Sequence, residues 1–264
     1  TNITPDPQNG IGEYSFDEFD RVMRTGVARD GHRLYPAMPY PSYAKMSEQD
    51  MRALYDFLMN DVQASAQPNL PEEIEGIRDV RWAMGIWNVL AAEDDAYEPV
   101  AGQSDGWNRG AYLVQGLGHC GACHTPRGLL MQEKGTEDGD SDFLSGAPLD
   151  HWSASSLNGD INSGLGRWSE ADVAEFLQTG HNKFGTASGT MVEVINNSTR
   201  HMSDTDLAAM AEYMKSLPAN VEANATPYVA STAEADQLTA LDFSKTGSST
   251  YYEYCSNWHV TSGA

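Results

Sequence analysis

Strand-like alternation of apolar and polar residues is scarce along this chain. Its apolar positions gather in helix-like stretches, each opened by a capping residue. Ser15-x-x-Glu18 and Ser169-x-x-Asp172 carry the capping-box pattern. Both stretches run to a Thr-Gly pair, Thr25-Gly26 and Thr179-Gly180, where a glycine suits a helix C-terminus. Two more capped stretches follow, from Ser47-x-x-Asp50 to about Asn60 and from Ser203-x-x-Asp206 to Leu217-Pro218. A shorter helix is expected at Arg81-Trp82-Ala83-Met84-Gly85-Ile86-Trp87-Asn88, with its tryptophans packed against a domain or a neighbouring haem edge. The pattern predicts a mainly α fold with long loops.

These stretches form an internal repeat. Gly10-Ile11-Gly12-Glu13-Tyr14-Ser15 matches Gly164-Leu165-Gly166-Arg167-Trp168-Ser169 at an offset of 154 residues, and the Thr-Gly stops keep that offset. Each copy then carries a loop methionine, Met38 or Met191, at an offset of 153, before its last capped helix. The expected organisation is a first domain's distal part over 1–65, a connector over 66–105, a complete domain over 106–220, a linker over 221–246 and the start of a third copy over 247–264.

The second copy bears the chemistry. Cys120-Gly121-Ala122-Cys123-His124 has the C-x-x-C-H spacing of covalent c-type haem attachment. On a helix, positions i, i+3 and i+4 share a face. Two thiols can then form thioethers with the haem vinyl groups while the imidazole lies under the iron. The competing readings are half of a zinc site, which needs four ligands, and a thiol-redox pair. The third cysteine of the chain, Cys255, lies far away in sequence.

Methionine is the usual second axial partner of histidine in cytochromes c, where it raises the reduction potential. The repeat points to Met191, in Gly189-Thr190-Met191, and to Met38 at the equivalent place in Tyr35-Pro36-Ala37-Met38-Pro39-Tyr40. Met202 is the rival, although its place beside the Ser203 cap suits a hydrophobic staple. Because 45 residues separate His124 from Ser169, the same spacing places the first copy's attachment motif about 30 positions ahead of residue 1. A third cluster, Cys255-Ser256-Asn257-Trp258-His259, keeps the Cys-to-His spacing with Trp258 at the second cysteine position. It reads as a haem held by one thioether with His259 as axial ligand, as a degraded site, or as a site whose residue 258 is misread. Arg127 pairs with a haem propionate or is a surface arginine, and Trp152 touches the haem edge or a propionate or packs in the core.

The formal net charge of −22 and pI near 4.4 disfavour nucleic acid and anionic membrane faces as partners. Such a surface favours solubility or a basic docking patch. No apolar run approaches membrane-spanning length.

Asn2-Ile3-Thr4-Pro5-Asp6, Leu34-Tyr35-Pro36-Ala37-Met38-Pro39-Tyr40, Trp107-Asn108-Arg109-Gly110-Ala111-Tyr112-Leu113 and Gly118-His119-Cys120-Gly121-Ala122-Cys123-His124-Thr125-Pro126-Arg127 together resemble the three-haem cytochrome c subunit of bacterial membrane-bound dehydrogenases. That family serves alcohol, aldehyde and gluconate-type enzymes. The resemblance implies tandem cytochrome c-like domains and up to three haem c groups. It implies Met38 for the first haem, Cys120, Cys123, His124 and Met191 for the second, and Cys255 and His259 for the third. The implied role is electron transfer without substrate chemistry, from a catalytic subunit holding flavin or pyrroloquinoline quinone toward quinone, a downstream cytochrome or a terminal oxidase. The implied location is the periplasm, at the outer face of the inner membrane, with any membrane association made by segments outside this chain. The alternative is a peroxidase-like haem enzyme with an open iron site, which requires that Met191 leave the iron free.

Overall fold

The structure is a computed structural model, and it describes residues 1–70, 82–91, 95–149, 152–220, 225–229, 243–244 and 246–254. The chain divides into two compact units, Thr1–Ala223 and Asn224–Ala264. The fold is mainly α, as the sequence predicts.

In the first unit, α1 (Phe16–Thr25) starts from a complete capping box, in which the Ser15 hydroxyl accepts from the Glu18 amide and the Glu18 carboxylate accepts from the Ser15 amide. Helix α2 (Tyr40–Tyr43) follows the Met38 loop, and α3 (Glu48–Asn60) starts at the Ser47 cap. Phe19, Met46 and Met51 are buried between them and form one apolar core, with Tyr14, Phe16 and Tyr55 packed around it. The Tyr55 hydroxyl donates to the Tyr14 carbonyl at 2.7 Å, closing this core without an orphaned polar atom.

A second, larger core lies among α5 (Asp105–Tyr112), α7 (Glu170–Thr179) and α9 (Asp204–Ser216). Gly110 of α5 lies at the crossing with α9. A Cβ there would stand 2.0 Å from the Ala209 carbonyl oxygen, so only glycine lets the two backbones approach this closely. Trp107 packs edge-on against Tyr213 with ring centroids 5.0 Å apart, and its indole N–H donates to Ser216 Oγ at 2.7 Å. Burying each such ring contributes roughly 1.5–3 kcal/mol. Arg109 forks onto both oxygens of Asp206, at 2.7 and 3.2 Å, outside the same crossing.

Gly26 and Gly180, which end α1 and α7, both adopt the left-handed conformation, with φ of 65° and 82°. Two short antiparallel hairpins complete the second copy: β1 (Ala147–Leu149) with β2 (Trp152–Ala154), and β3 (His181–Asn182) with β4 (Gly185–Thr186).

Helix α4 (Ala83–Ala91) clips the copies together. Asn88 accepts from the Tyr40 hydroxyl at 2.6 Å and donates to the Thr25 carbonyl at 2.8 Å, while the Trp87 indole donates to the Leu130 carbonyl at 2.6 Å. Of the two tryptophans of this segment, Trp87 packs on the protein as expected, while Trp82 is 72% exposed and packs on no domain surface among the described residues. It lies one residue ahead of α4, off the turn that meets Tyr40 and Leu130. In the second unit, α10 (Ser248–Tyr254) sets Tyr252 against Phe243 at 5.2 Å.

The α7 cap makes a testable contribution. Hydrogen bonds from Ser169, together with Lys183 Nζ at 2.9 Å, hold the Asp172 carboxyl down at about 2. The stabilisation this brings is complete above the unfolded carboxyl value of about 3.9 and is lost as pH falls toward the folded value. Asp172→Asn should therefore lower the melting temperature at neutral pH, and the gap from the parent should close as pH approaches 2. An offset that stays constant through that window in thermal melts would contradict the cap's role.

Candidate functional site: a haem-attachment helix

Helix α5 does not end at Tyr112. Its backbone widens into a π-type turn over Leu113–Leu117, and the Gly118 amide then donates to the Leu113 carbonyl at 2.7 Å. His119 follows with φ of 37°, in the left-handed region, a placement that costs a non-glycine residue about 1–2 kcal/mol. This turn reverses the chain so that Cys120 restarts a helix within three residues. Tyr43 of α2 braces it, its ring edge-on to the His119 imidazole at 5.8 Å. The Tyr112 hydroxyl also ties α5 to the start of α3, donating to Asp50 Oδ2 at 2.6 Å and accepting from the Ser47 amide at 3.1 Å.

Helix α6 (Gly121–His124) carries the motif. Cys120 has helical dihedrals, and its carbonyl accepts from the His124 amide at 3.0 Å and from the Cys123 amide at 3.3 Å. Cys120, Cys123 and His124 therefore occupy one continuous helical turn, as their spacing predicts.

His124 Nδ1 lies 2.7 Å from the Ser155 main-chain carbonyl. A carbonyl only accepts, so Nδ1 carries the proton and Nε2 keeps a free lone pair. Burial lowers the His124 pKa and favours this neutral form. The imidazole is thus oriented and in the protonation state a metal requires.

Burial pushes the Cys120 thiol up to about 12 and raises Cys123 as well. Reactive redox cysteines need the opposite shift. Among the described residues, no group of three or more His, Cys, Asp or Glu is placed to hold a metal ion. The raised thiols weigh against the thiol-redox reading.

Met191 is the first residue of α8 (Met191–Asn197), so the expected loop methionine in fact opens a helix. It packs, half-buried, against the same apolar core that Cys120 borders, as does Met202. Met38 is half-buried just ahead of α2, its carbonyl accepting from the Tyr40 amide at 2.8 Å, so it lies before a short helix where Met191 opens one. Arg127 is tied to its own segment, donating to the Ala122 carbonyl at 2.5 Å and the Met131 carbonyl at 3.3 Å, with Glu133 at 3.7 Å. Trp152 is half-exposed rather than a core residue, and its indole lies over Gly189. Cys255, Trp258 and His259 lie outside the described residues. Sequence reasoning missed Ser155, which acts through its main chain, and Gly189, whose glycine is its only signal.

The donor set fits haem c: two thiols and a neutral, anchored histidine on one turn, with a thioether beside the same core. Residues 108–218 match the cytochrome c family model. The chain is 34% identical over 220 residues to a dihaem cytochrome c-type protein of Cereibacter sphaeroides, covering 83% of this chain and 71% of that one. This chain belongs to the c-type cytochromes. Haem c, bound covalently, is the cofactor of this family. Among other c-type cytochromes, the chain is 48% identical over 268 residues to the gluconate 2-dehydrogenase cytochrome c subunit of Pantoea cypripedii, covering all of this chain and 60% of that one. It is 44% identical over 267 residues to the cytochrome c subunit of the quinone alcohol dehydrogenase of Gluconacetobacter polyoxogenes, again over all of this chain and 57% of that one. The chain thus spans about 60% of the length of these two relatives.

Proposed function

We propose that this cytochrome is the electron-transfer subunit of a dehydrogenase complex, with haem held by Cys120 and Cys123 and ligated by His124 and Met191. The observation that carries this reading is the single turn bearing both thiols and a histidine whose Nδ1 is committed to Ser155. The names of the relatives support the kind of complex. Haem c supplies a one-electron couple. The residues that would hold its iron are the anchored His124 imidazole and the Met191 thioether, and these ligands, with the burial around them, would tune its potential. If Met191 ligates the iron beside His124, as proposed, the peroxidase-like alternative would have no open site to use.

The repeat extends the reading to tandem cytochrome c domains, with Met38 ligating a further haem and Cys255 with His259 contributing to a third. In this scheme the electron donor is a catalytic subunit with flavin or pyrroloquinoline quinone. The acceptor is quinone, a downstream cytochrome or an oxidase, and the location is the periplasm, at the outer face of the inner membrane. Arg127 and Trp152 line the haem surround.

The test is a pyridine haemochrome ratio paired with intact mass, on protein made alongside haem-maturation machinery. At least one covalent haem per chain is expected, and none would overturn the reading. Cys123→Ala should leave haem on one thioether, with the reduced α band shifted to the red. An unshifted band would remove Cys123 from the attachment site.

A further inference from the structure

One short segment, residues 152–155, touches His124 and lies against Gly189, two residues ahead of Met191. Pairing of Leu149 with Trp152, Pro148 with Ser153 and Ala147 with Ala154 fixes β2 on β1. Just past its end, the Ser155 carbonyl accepts from His124 Nδ1 at 2.7 Å. At its start, the Trp152 indole lies flat against the backbone at Gly189, two residues ahead of Met191. A Cβ on Gly189 would stand 2.9 Å from Cδ2 and 3.0 Å from Cε2 of that ring. Gly189 has φ of 58°, and the turn it starts is short. The Val192 amide donates to the Gly189 carbonyl at 3.2 Å and the Glu193 amide to the Thr190 carbonyl at 3.1 Å.

We propose that Trp152 is a positioning residue for Met191. The rigid indole closes the space above Gly189 and fixes where the Gly189-Thr190 turn delivers the thioether. Ser155, the residue just past the same strand, fixes the imidazole. The distance and tilt between the two axial ligands are therefore set by four consecutive residues, 152 to 155, and not by two independent loops. The inference rests on the reading of Met191 as an iron ligand.

The test uses the haem-loaded full chain and compares Trp152→Ala, Trp152→Phe and Met191→Ala. Readouts are the sulfur-to-iron charge-transfer band, carbon monoxide binding by the reduced form and the midpoint potential. Trp152→Ala should lose much of the band, gain carbon monoxide binding and fall in potential, with the haemochrome ratio and the two-thioether α band unchanged. Trp152→Phe should restore most of the band. If Trp152→Ala keeps the band and the potential while Met191→Ala loses them, the positioning role fails. If Met191→Ala also keeps them, the ligand assignment itself fails.

Gly189→Ala tests the contact without removing the ring. Its effect on the band should be larger with Trp152 present than in a Trp152→Ala background, because the added methyl meets the indole. Additive effects would overturn the proposal, even if Trp152→Ala alone loads haem poorly.

Discussion

Met191→Ala will lower the haem midpoint potential, on the order of 100 mV or more within the ~0.8 V span that axial ligands cover. A thioether is a soft donor that favours the electron-rich reduced iron, and alanine replaces it with water or nothing. The sulfur-to-iron band should vanish, and the reduced protein should bind carbon monoxide. The fold should survive, because Met191 is only half-buried at the edge of its core and truncation leaves a site that solvent can reach. Met202 borders the same core and provides the control. Met202→Ala should cost stability at the α9 entrance while the band and potential persist. A redox titration that shifts for Met202→Ala and not for Met191→Ala would reverse the assignment.

Gly110→Leu should be the most destabilising single change in the larger core. Even the first added carbon would stand 2.0 Å from the Ala209 oxygen, 2.6 Å from its carbon and 2.8 Å from the Tyr213 Cβ. None of these is the free end of a flexible side chain, so α5 and α9 must separate. Separation breaks the Trp107–Ser216 hydrogen bond and loosens the Trp107–Tyr213 contact. Overpacking of this kind costs about 1–3 kcal/mol before the lost contacts are counted. At ~2–4 °C per kcal/mol for a unit of this size, the melting temperature should fall by roughly 10 °C. Haem loading should fall with it, since α5 leads through the π-type turn directly to Cys120. Gly139→Ala, where a Cβ meets nothing within 4 Å, should change the melt by less than about 0.5 kcal/mol. Equal melts for the two variants would show that the close crossing does not hold the core together.

The elements that sequence reasoning located share one property: their signals are local. The Ser15 and Ser169 capping boxes and the glycine stops at Gly26 and Gly180 act within a few residues of themselves, and all four form as their patterns predict. The C-x-x-C-H turn is equally local. Features made by distant partners were not legible. The left-handed His119 is braced by Tyr43, 76 residues earlier, and its own side chain gives no sign of it. Whether Trp82 or Trp87 packs depends on which side of α4 meets Tyr40 and Leu130, and an apolar nine-residue helix carries no polar stripe to tell. Met191 opens a helix instead of resting in a loop because Gly189 turns the chain just ahead of it, under a ring from the β1–β2 hairpin.

The anchor of His124 has a consequence for how the site tolerates variation. Its acceptor is an atom that every amino acid possesses, so the genetic code contains no codon at position 155 that deletes it. A saturation scan read by haem content should find position 155 permissive and position 124 intolerant, although the two are joined by one 2.7 Å bond. Ranked by such a scan, half of this contact would go unnoticed.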